Sequence, residues 1–345
     1  YSANPTWSSD PDVVEGGQIN PANMLAYTQS LTETQRVLLN FSADYEFIPG
    51  LVGKLTLGYD NSQSLRESNT SKMSRNLDRG SQDNGLGAFT DAEATSQLME
   101  LTLTWDKDWD NSKLNLLGGY SFQNFKNKGN NAQGWGYDTA NMDQMASDLR
   151  GSVSAVERLL AGSSYQQFGI SDPNSNSFVN SLFPTPSSNP LAGFADTSVR
   201  TFWSDYYDYT DEIQSFFARG NYTLHDKYLF TATVRVDGSS RFGSDNKYGV
   251  FPSAAFAWKM NEENFIGDKI STLKTRLSWG ITGNQEGLGY GNYIRRERYA
   301  GPGISDGGEI NTPGLGPVAF ANPDLKWEDT SAYGFGVDFG LNNDR

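Results

Sequence analysis

Nine stretches of the chain alternate between apolar and polar residues, and this period of two constrains the fold more than any other feature. Successive side chains of a β-strand point to opposite faces of a sheet, so each stretch predicts a strand with one apolar face. The stretches lie around 36–47, 51–61, 96–106, 112–124, 212–224, 227–237, 247–259, 272–282 and 333–341. We therefore expect an all-β protein, which the 36 glycines, 17 tyrosines and 20 phenylalanines also favour.

The connections between these stretches alternate between short and long. Short ones lie at 48–50, 106–111, 225–227 and about 260–270, and long ones at about 62–95, 125–211 and 283–330. Outer-membrane barrels have tight periplasmic turns and long external loops, whereas a soluble Greek-key sandwich mixes both lengths at each end. The pattern predicts an antiparallel transmembrane β-barrel, in which residues 1–35 form an external loop.

The longest connection, 125–211, contains a stretch with helical spacing. Its apolar residues recur at helical intervals between 141 and 162: Met142, Met145, Leu149, Val153, Val156, Leu159 and Leu160. The remainder is rich in Asn, Ser, Pro and Gly, as is typical of a surface loop. We expect one helix near 141–162 within a long external loop.

Composition excludes several kinds of site. The chain has no cysteine and a single histidine, so thiolate chemistry and multi-histidine metal centres are excluded, and we expect no cofactor. The net charge of −14 disfavours nucleic acid as a partner, because phosphate binding needs clustered Lys and Arg. No run of about 18 apolar residues is present, which excludes a transmembrane helix.

Aromatic residues on the predicted apolar faces give an independent check of the barrel. If the long connections are external, one group falls near the external end: Tyr59, Tyr120, Tyr248, Trp279 and Tyr333. A second group falls near the periplasmic end: Tyr45, Trp105, Tyr222, Tyr228 and Trp258. Two such girdles flank the apolar band of outer-membrane barrels.

Nine strands form only part of such a barrel. Single-chain bacterial barrels have even strand numbers, and unpaired strand edges in lipid cost several kcal/mol for each backbone group. We therefore expect residues 1–345 to be a partial β-barrel domain that crosses a Gram-negative outer membrane several times and contacts its lipid. The remaining strands would lie outside this sequence.

Three motifs, in this order, resemble the SusC/RagA family of TonB-dependent transporters. They are RVDGSSRFG at 235–243 followed by YGVFPS at 248–253, LKTRLSWGITGN at 273–284, and NPDLKWEDT at 322–330 leading into GVDF at 336–339. The resemblance covers about 228–345 and implies a barrel of about 22 strands. It also implies import of oligosaccharides or peptides, a SusD-like lipoprotein lid, and contact with the TonB complex through the absent plug.

Two sets of side chains are candidates for contact with other molecules. Aromatic residues of the long connection could stack on cargo, touch the lid, or pack loop on loop: Trp135, Tyr137, Trp203, Tyr206, Tyr207 and Tyr209. Polar residues of the predicted lumen face could contact the plug or line the path, or pair with one another: Arg219, Arg235, Asp237 and Arg276. The three motifs themselves are interpreted as structural.

Import requires no catalytic residue, and a non-enzymatic transporter is the interpretation that the sequence favours. A surface glycan-binding module or adhesin without transport is the alternative. An all-β hydrolase is a third class, since carboxylates are abundant, although no pair stands out. A barrel would depend on detergent or lipid, whereas the other two classes would be soluble alone. The loops do not identify the cargo.

Overall fold

The computed structural model describes residues 10–12, 21–75, 84–160, 165–171, 176–181, 197–243, 245–266, 270–288, 296–306, 309–320 and 322–341. The strands in these ranges are β1 (Thr28–Ile48), β2 (Leu51–Thr70), β3 (Leu86–Trp109), β4 (Ser112–Tyr137), β5 (Tyr165–Ser171), β6 (Asn176–Ser181), β7 (Val199–Leu224), β8 (Tyr228–Ser239), β9 (Tyr248–Lys259), β10 (Ile270–Asn284), β11 (Arg296–Asp306), β12 (Glu309–Ala319) and β13 (Glu328–Leu341). The helices are α1 (Pro21–Tyr27), α2 (Met142–Leu159) and a 3₁₀ turn at Met260–Glu262. None of these helices is long and apolar enough to cross a bilayer.

Nine long strands form one antiparallel sheet in the order β1-β2-β3-β4-β7-β8-β9-β10-β13. These are the nine predicted strands, and each pairs with the predicted strands that precede and follow it. The predicted fold class is therefore confirmed. The hairpin β5–β6 joins the sheet at β7, and β11 pairs with β12 as a separate two-stranded sheet. In the described part the sheet is open, with β1 and β13 at its edges.

The register of the strands places their apolar residues on one face. Leu57 is opposite Met99 in β2 and β3, and Tyr120 is opposite Phe216 in β4 and β7. Apolar alternation extends over nine to eleven residues, at 37–47, 51–59, 114–122 and 228–236. A tilted strand needs about 9–11 residues to cross a bilayer. We call the side of the sheet that carries these apolar residues the apolar face, and the opposite side the polar face. The apolar band is the part of the apolar face formed by these stretches of nine to eleven residues.

The ten aromatic residues of the predicted girdles all lie on the apolar face. Register pairs show this directly: Tyr45 is opposite Gly53, Tyr228 opposite Trp258, and Trp279 opposite Tyr333. Their common face supports the assignment of the band to lipid contact.

Several strands continue beyond the apolar band, which corrects the predicted loop boundaries. β4 ends at Tyr137 and β7 begins at Val199, so the predicted loop 125–211 is reduced to 138–198. The predicted external loop 1–35 contains α1 and the start of β1, while its residues 1–9 and 13–20 lie outside the described residues. Beyond an apolar band neither face has to be apolar, so the ladder continues without the alternation that marks a strand in the sequence.

Helix α2 is the helix predicted near 141–162; residues 161 and 162 lie outside the described residues. It begins at Asn141, whose side chain accepts a hydrogen bond from the Gln144 N–H. Its apolar side packs on the strand extensions and forms a core of Phe89, Ala132, Tyr137, Met145, Leu149, Val153, Val156, Leu160, Phe168, Ile170, Val199 and Phe202. Phe89 and Leu101 lie on the same side of β3, so α2 sits on the apolar-face side, beyond the band.

The short turns are joined to their neighbours by backbone hydrogen bonds. The Asp106 N–H donates to the Gly50 carbonyl at 2.8 Å, and the His225 N–H donates to the Asn111 carbonyl at 2.6 Å. The Lys259 N–H donates to the Lys227 carbonyl at 2.9 Å. This end of the sheet is therefore a continuous hydrogen-bonded rim.

Replacement of Leu149 by alanine should loosen α2 from the sheet. Leu149 is 1% exposed, whereas Leu159 on the same helix is 53% exposed and supplies the matched control Leu159→Ala. Truncating a buried leucine costs about 2–5 kcal/mol through lost contacts and the cavity left behind. Amide hydrogen exchange of α2 should accelerate in Leu149→Ala only; equal exchange in the two variants would contradict this packing.

Candidate functional site

The six aromatic residues predicted to contact cargo or lid belong to β4 and β7 rather than to a loop. Four of them lie on the polar face: Trp135, Trp203, Tyr207 and Tyr209. The other two, Tyr137 and Tyr206, lie on the apolar-face side. The prediction that these residues belong to a loop is therefore corrected, and the pleat of β7 sends neighbouring side chains to opposite faces.

Tyr137 is not available to a ligand. Gly136, with a φ of +81°, interrupts the alternation at the end of β4 and directs Tyr137 into the core beneath α2, where it is 1% exposed. Its hydroxyl lies against Gly87 and, among the described residues, has no hydrogen-bond partner. Burial raises the pKa of this phenol. Tyr137 is a core residue, and its predicted contact with cargo or lid is wrong.

The four polar-face aromatics form a strip along β4 and β7. The rings of Tyr207 and Tyr209 are 6.0 Å apart at an angle of 37°. Tyr207 lies over Gly129, where an added Cβ would come within 2.5 Å of its hydroxyl oxygen. Burial raises the pKa of the Tyr207 hydroxyl above its usual value. The amide-bearing Asn127 is opposite Tyr209 in the register of β4 and β7.

A shallow cavity of about 160 Å³ lies on the polar face beside this strip. Its lining includes Arg36, Asp60, Ser62, Ser96, Phe125 and Asn127. The guanidinium of Arg36 donates two hydrogen bonds to the carboxylate of Asp60, at 2.8 and 2.6 Å. The cavity thus combines an aromatic ring with hydroxyl, amide and charged groups, a combination that can bind a polar ring or a peptide side chain.

Arg235 and Asp237 of the first motif are paired on the polar face. Nε of Arg235 lies 2.7 and 2.8 Å from the two carboxylate oxygens of Asp237. Its Nη2 donates to the hydroxyl of Ser215 at 2.8 Å, and the guanidinium lies 5.6 Å from the ring centroid of Phe217. Both charges are therefore satisfied within the wall.

The other two charged candidates also lie on the polar face. Arg276 donates to the carboxylate of Asp338 at 2.7 Å. Arg219 lies between Leu117 and Thr233, and no carboxylate of the described residues forms an ion pair with it. Within the described ranges no cluster of three acidic or histidine side chains is placed to hold a metal ion.

The three motifs, which are distant in sequence, meet at the end of the sheet that carries the long connections. Trp327 of the third motif packs against Phe242 and Phe251 of the first, with ring centroids 4.8 and 5.4 Å apart. The indole N–H of Trp327 donates to the Lys247 carbonyl at 3.0 Å. Gly283 of the second motif lies against Phe251 with no room for a Cβ. These contacts support the interpretation of the motifs as structural, and the sequence alone does not predict that the motifs touch.

Residues 241–243, which we call the clasp, hold the chain on both sides of the hairpin β11–β12. Arg241 donates to the buried carboxylate of Asp211 at 2.9 and 3.1 Å and to the Leu288 carbonyl at 3.3 Å. The Gly243 N–H donates to the Leu325 carbonyl at 3.3 Å. The partner of Arg241 lies 30 residues away, and no sequence signal pointed to it.

The chain is similar to known TonB-dependent receptors. The family model "TonB dependent receptor-like, beta-barrel" matches residues 3–345. TonB-dependent receptor P3 of Formosa agariphila is 33% identical over 311 residues, which are 89% of this chain and 25% of that protein. TonB-dependent receptor SusC of Bacteroides thetaiotaomicron is 44% identical over 145 residues, 40% of this chain and 14% of that protein. The chain spans about a quarter of the length of the first of these relatives.

Solved structures with the same architecture include the RagAB peptide transporter. It superposes with a TM-score of 0.69 at 21% identity, covering 95% of this chain and 30% of that chain. The RagAB peptide importer in the "open-open" state gives a TM-score of 0.66 over the same shares. At this identity the likeness establishes the fold.

Replacing Gly243 by alanine should displace the segment 322–327 from the clasp. An added methyl group would overlap the carbonyl oxygen of Pro323, which belongs to the backbone and cannot rotate away. Gly118 in β4 has nothing within 4 Å of an added Cβ, so Gly118→Ala is the matched control. Hydrogen exchange at 322–327 should rise in Gly243→Ala and stay at the wild-type level in Gly118→Ala. Wild-type exchange in both variants would rule out this contact.

Proposed function

The chain belongs to the TonB-dependent receptor-like β-barrel family, of the SusC/RagA type, and from this premise we propose that the full-length protein imports nutrients across a Gram-negative outer membrane. The observation that carries the proposal is the division of the sheet into an apolar face with a band nine to eleven residues long and a polar opposite face. A barrel wall is apolar toward lipid and polar toward its lumen.

In this proposal residues 1–345 are a partial barrel domain. The hydrogen-bonded rim of short turns faces the periplasm, and the long connections with α2 and the clasp face outward. The plug domain and the segment that contacts TonB belong to other parts of the full-length protein. Arg219 is the candidate for contact with the plug, because Arg235, Asp237 and Arg276 already have ion-pair partners.

We propose that cargo contacts the polar-face strip of Trp135, Trp203, Tyr207 and Tyr209. The cargo class is oligosaccharide or peptide. Sugar rings and peptide side chains both present flat apolar faces to aromatic rings, and both offer hydrogen-bonding groups to neighbouring amides. The cavity next to the strip offers similar chemistry through Phe125 and Asn127.

A SusD-like lipoprotein lid on the external side completes the proposal. The family resemblance supports this partner, and the RagAB importer, whose fold this chain shares, has been solved in "closed-closed" and "open-open" states. Tyr206 lies on the apolar-face side near α2 and is 38% exposed. It could therefore contact a partner outside the barrel but not cargo within it. No step of this function requires a catalytic residue.

Uptake by cells that carry the full-length protein should require TonB. A labelled oligosaccharide or peptide mixture should enter TonB-positive cells, and the fraction depleted from the medium identifies the cargo class. Uptake should be lost when TonB is deleted, since the barrel is plugged and force is needed to open it. Surface binding of glycan with no uptake in TonB-positive cells would instead favour the binding module or adhesin.

Replacement of Tyr207 by alanine should weaken cargo binding about tenfold, the equivalent of about 1.4 kcal/mol for a lost aromatic contact. Tyr206→Ala is the matched control, since this neighbouring tyrosine points to the other face of β7. Affinity is measured by titration of the purified full-length protein in detergent with the cargo identified by uptake. Equal weakening in both variants would contradict the placement of cargo on the polar face.

A further inference from the structure

The turn between β9 and β10 folds back toward the apolar face. The carboxylate of Glu263 in this turn accepts hydrogen bonds from the hydroxyl of Tyr228 at 2.7 Å, the indole N–H of Trp258 at 3.2 Å and the ammonium of Lys227 at 3.2 Å. Tyr228 and Trp258 are opposite each other on the apolar face, with stacked rings 6.0 Å apart. These bonds tie the turn to the periplasmic end of the apolar band.

The polar atoms of these two aromatic residues are used within the protein. Tyrosine and tryptophan at a membrane interface usually direct their polar atoms toward water and lipid headgroups. Here both atoms donate to Glu263, and Lys227 supplies the compensating charge. The hydrogen bond from Tyr228, with those from Trp258 and Lys227, keeps the pKa of Glu263 below its usual value, so the carboxylate remains ionised at neutral pH.

Phe265 follows two residues later and is 67% exposed. Its ring packs edge to face against Trp258, with centroids 6.4 Å apart, so it continues the aromatic surface of the apolar face. The turn is held by backbone bonds, in which the Glu263 N–H donates to the Met260 carbonyl and the Ile266 N–H to the Glu263 carbonyl, at 3.0 and 3.1 Å. An exposed phenylalanine in a fixed turn beside an apolar band is suited to contact with lipid.

We propose that residues 263–266 form an interfacial anchor that inserts Phe265 into the boundary between headgroups and acyl chains of the periplasmic phospholipid leaflet. Glu263 is the positioning residue, because it holds the turn against Tyr228 and Trp258. The occupant is lipid because the aromatic surface is continuous with the apolar band. This proposal rests on the proposed function, which places that band in the outer membrane and the short turns in the periplasm.

The test places a nitroxide spin label at Phe265→Cys in the full-length protein, reconstituted in phosphatidylethanolamine and phosphatidylglycerol vesicles. The 345 residues contain no cysteine, so one label reports one position once any cysteine elsewhere has been replaced. Ala254→Cys on the apolar face is the lipid control, and Asp110→Cys in the β3–β4 turn is the water control. Relaxation by molecular oxygen, which concentrates in lipid, is compared with relaxation by a water-soluble nickel chelate.

The label at 265 should be relaxed by oxygen more than by the chelate, as at position 254. A label at 265 that behaves like the one at 110 lies in water and overturns the anchor alone. A label shielded from both relaxants is covered by protein and also overturns it. A water-accessible label at 254 overturns the anchor together with the membrane placement on which the proposed function depends.

The positioning role is tested by Glu263→Ala in the background labelled at 265. Loss of three hydrogen bonds should shift the ratio of oxygen to chelate accessibility toward the value at 110. Glu262→Ala is the matched control, since Glu262 bonds only to the neighbouring Asn261 among the described residues. A label at 254 in the same variants verifies that the barrel is still inserted. An unchanged ratio in Glu263→Ala would overturn the role of this carboxylate.

Discussion

Backbone hydrogen bonding along the ladder is the constraint on which the rest of the structure depends. A strand that crosses lipid has no water to satisfy its N–H and C=O groups, so every pair must close with a neighbouring strand. β4 and β7 are each 26 residues long and remain paired from Ser112–Leu224 to Tyr137–Val199. A ladder of that length holds one register throughout, and the register decides which face each side chain meets. The separation of lipid contact, polar wall and helix packing follows from it.

The sequence predicted the part of the fold that lies in the apolar band. Alternation is enforced there, because one face must be apolar and the other polar, and all nine strands were found. Beyond the band nothing enforces alternation, so the sequence predicts a loop where the structure has the outer halves of β4 and β7. The faces on which Tyr206 and Tyr207 lie follow from the extension of β7 to Val199, which the sequence does not predict. The burial of Tyr137 beneath α2 also depends on the positive φ of Gly136, which the sequence does not predict.

Contacts between distant segments were beyond the reach of a single sequence. The motifs around Phe251, Gly283 and Trp327 were recognised separately, but their common cluster depends on how three long connections return to the sheet. The clasp and the α2 core both stiffen the outer end of the wall, on its polar-face and apolar-face sides respectively. Side chains of the polar-face strip are therefore displayed from paired strands, so little conformational entropy is lost when they bind.

The backbone bonds between the short turns have a mechanical consequence. Each turn is fastened to the next hairpin through a single N–H and carbonyl, as between His225 and Asn111. A pull on one hairpin at that end is therefore passed to the adjacent hairpins through these bonds and through the strand ladders. Force on one short turn is in this way shared among neighbouring hairpins and does not fall on a single pair of strands.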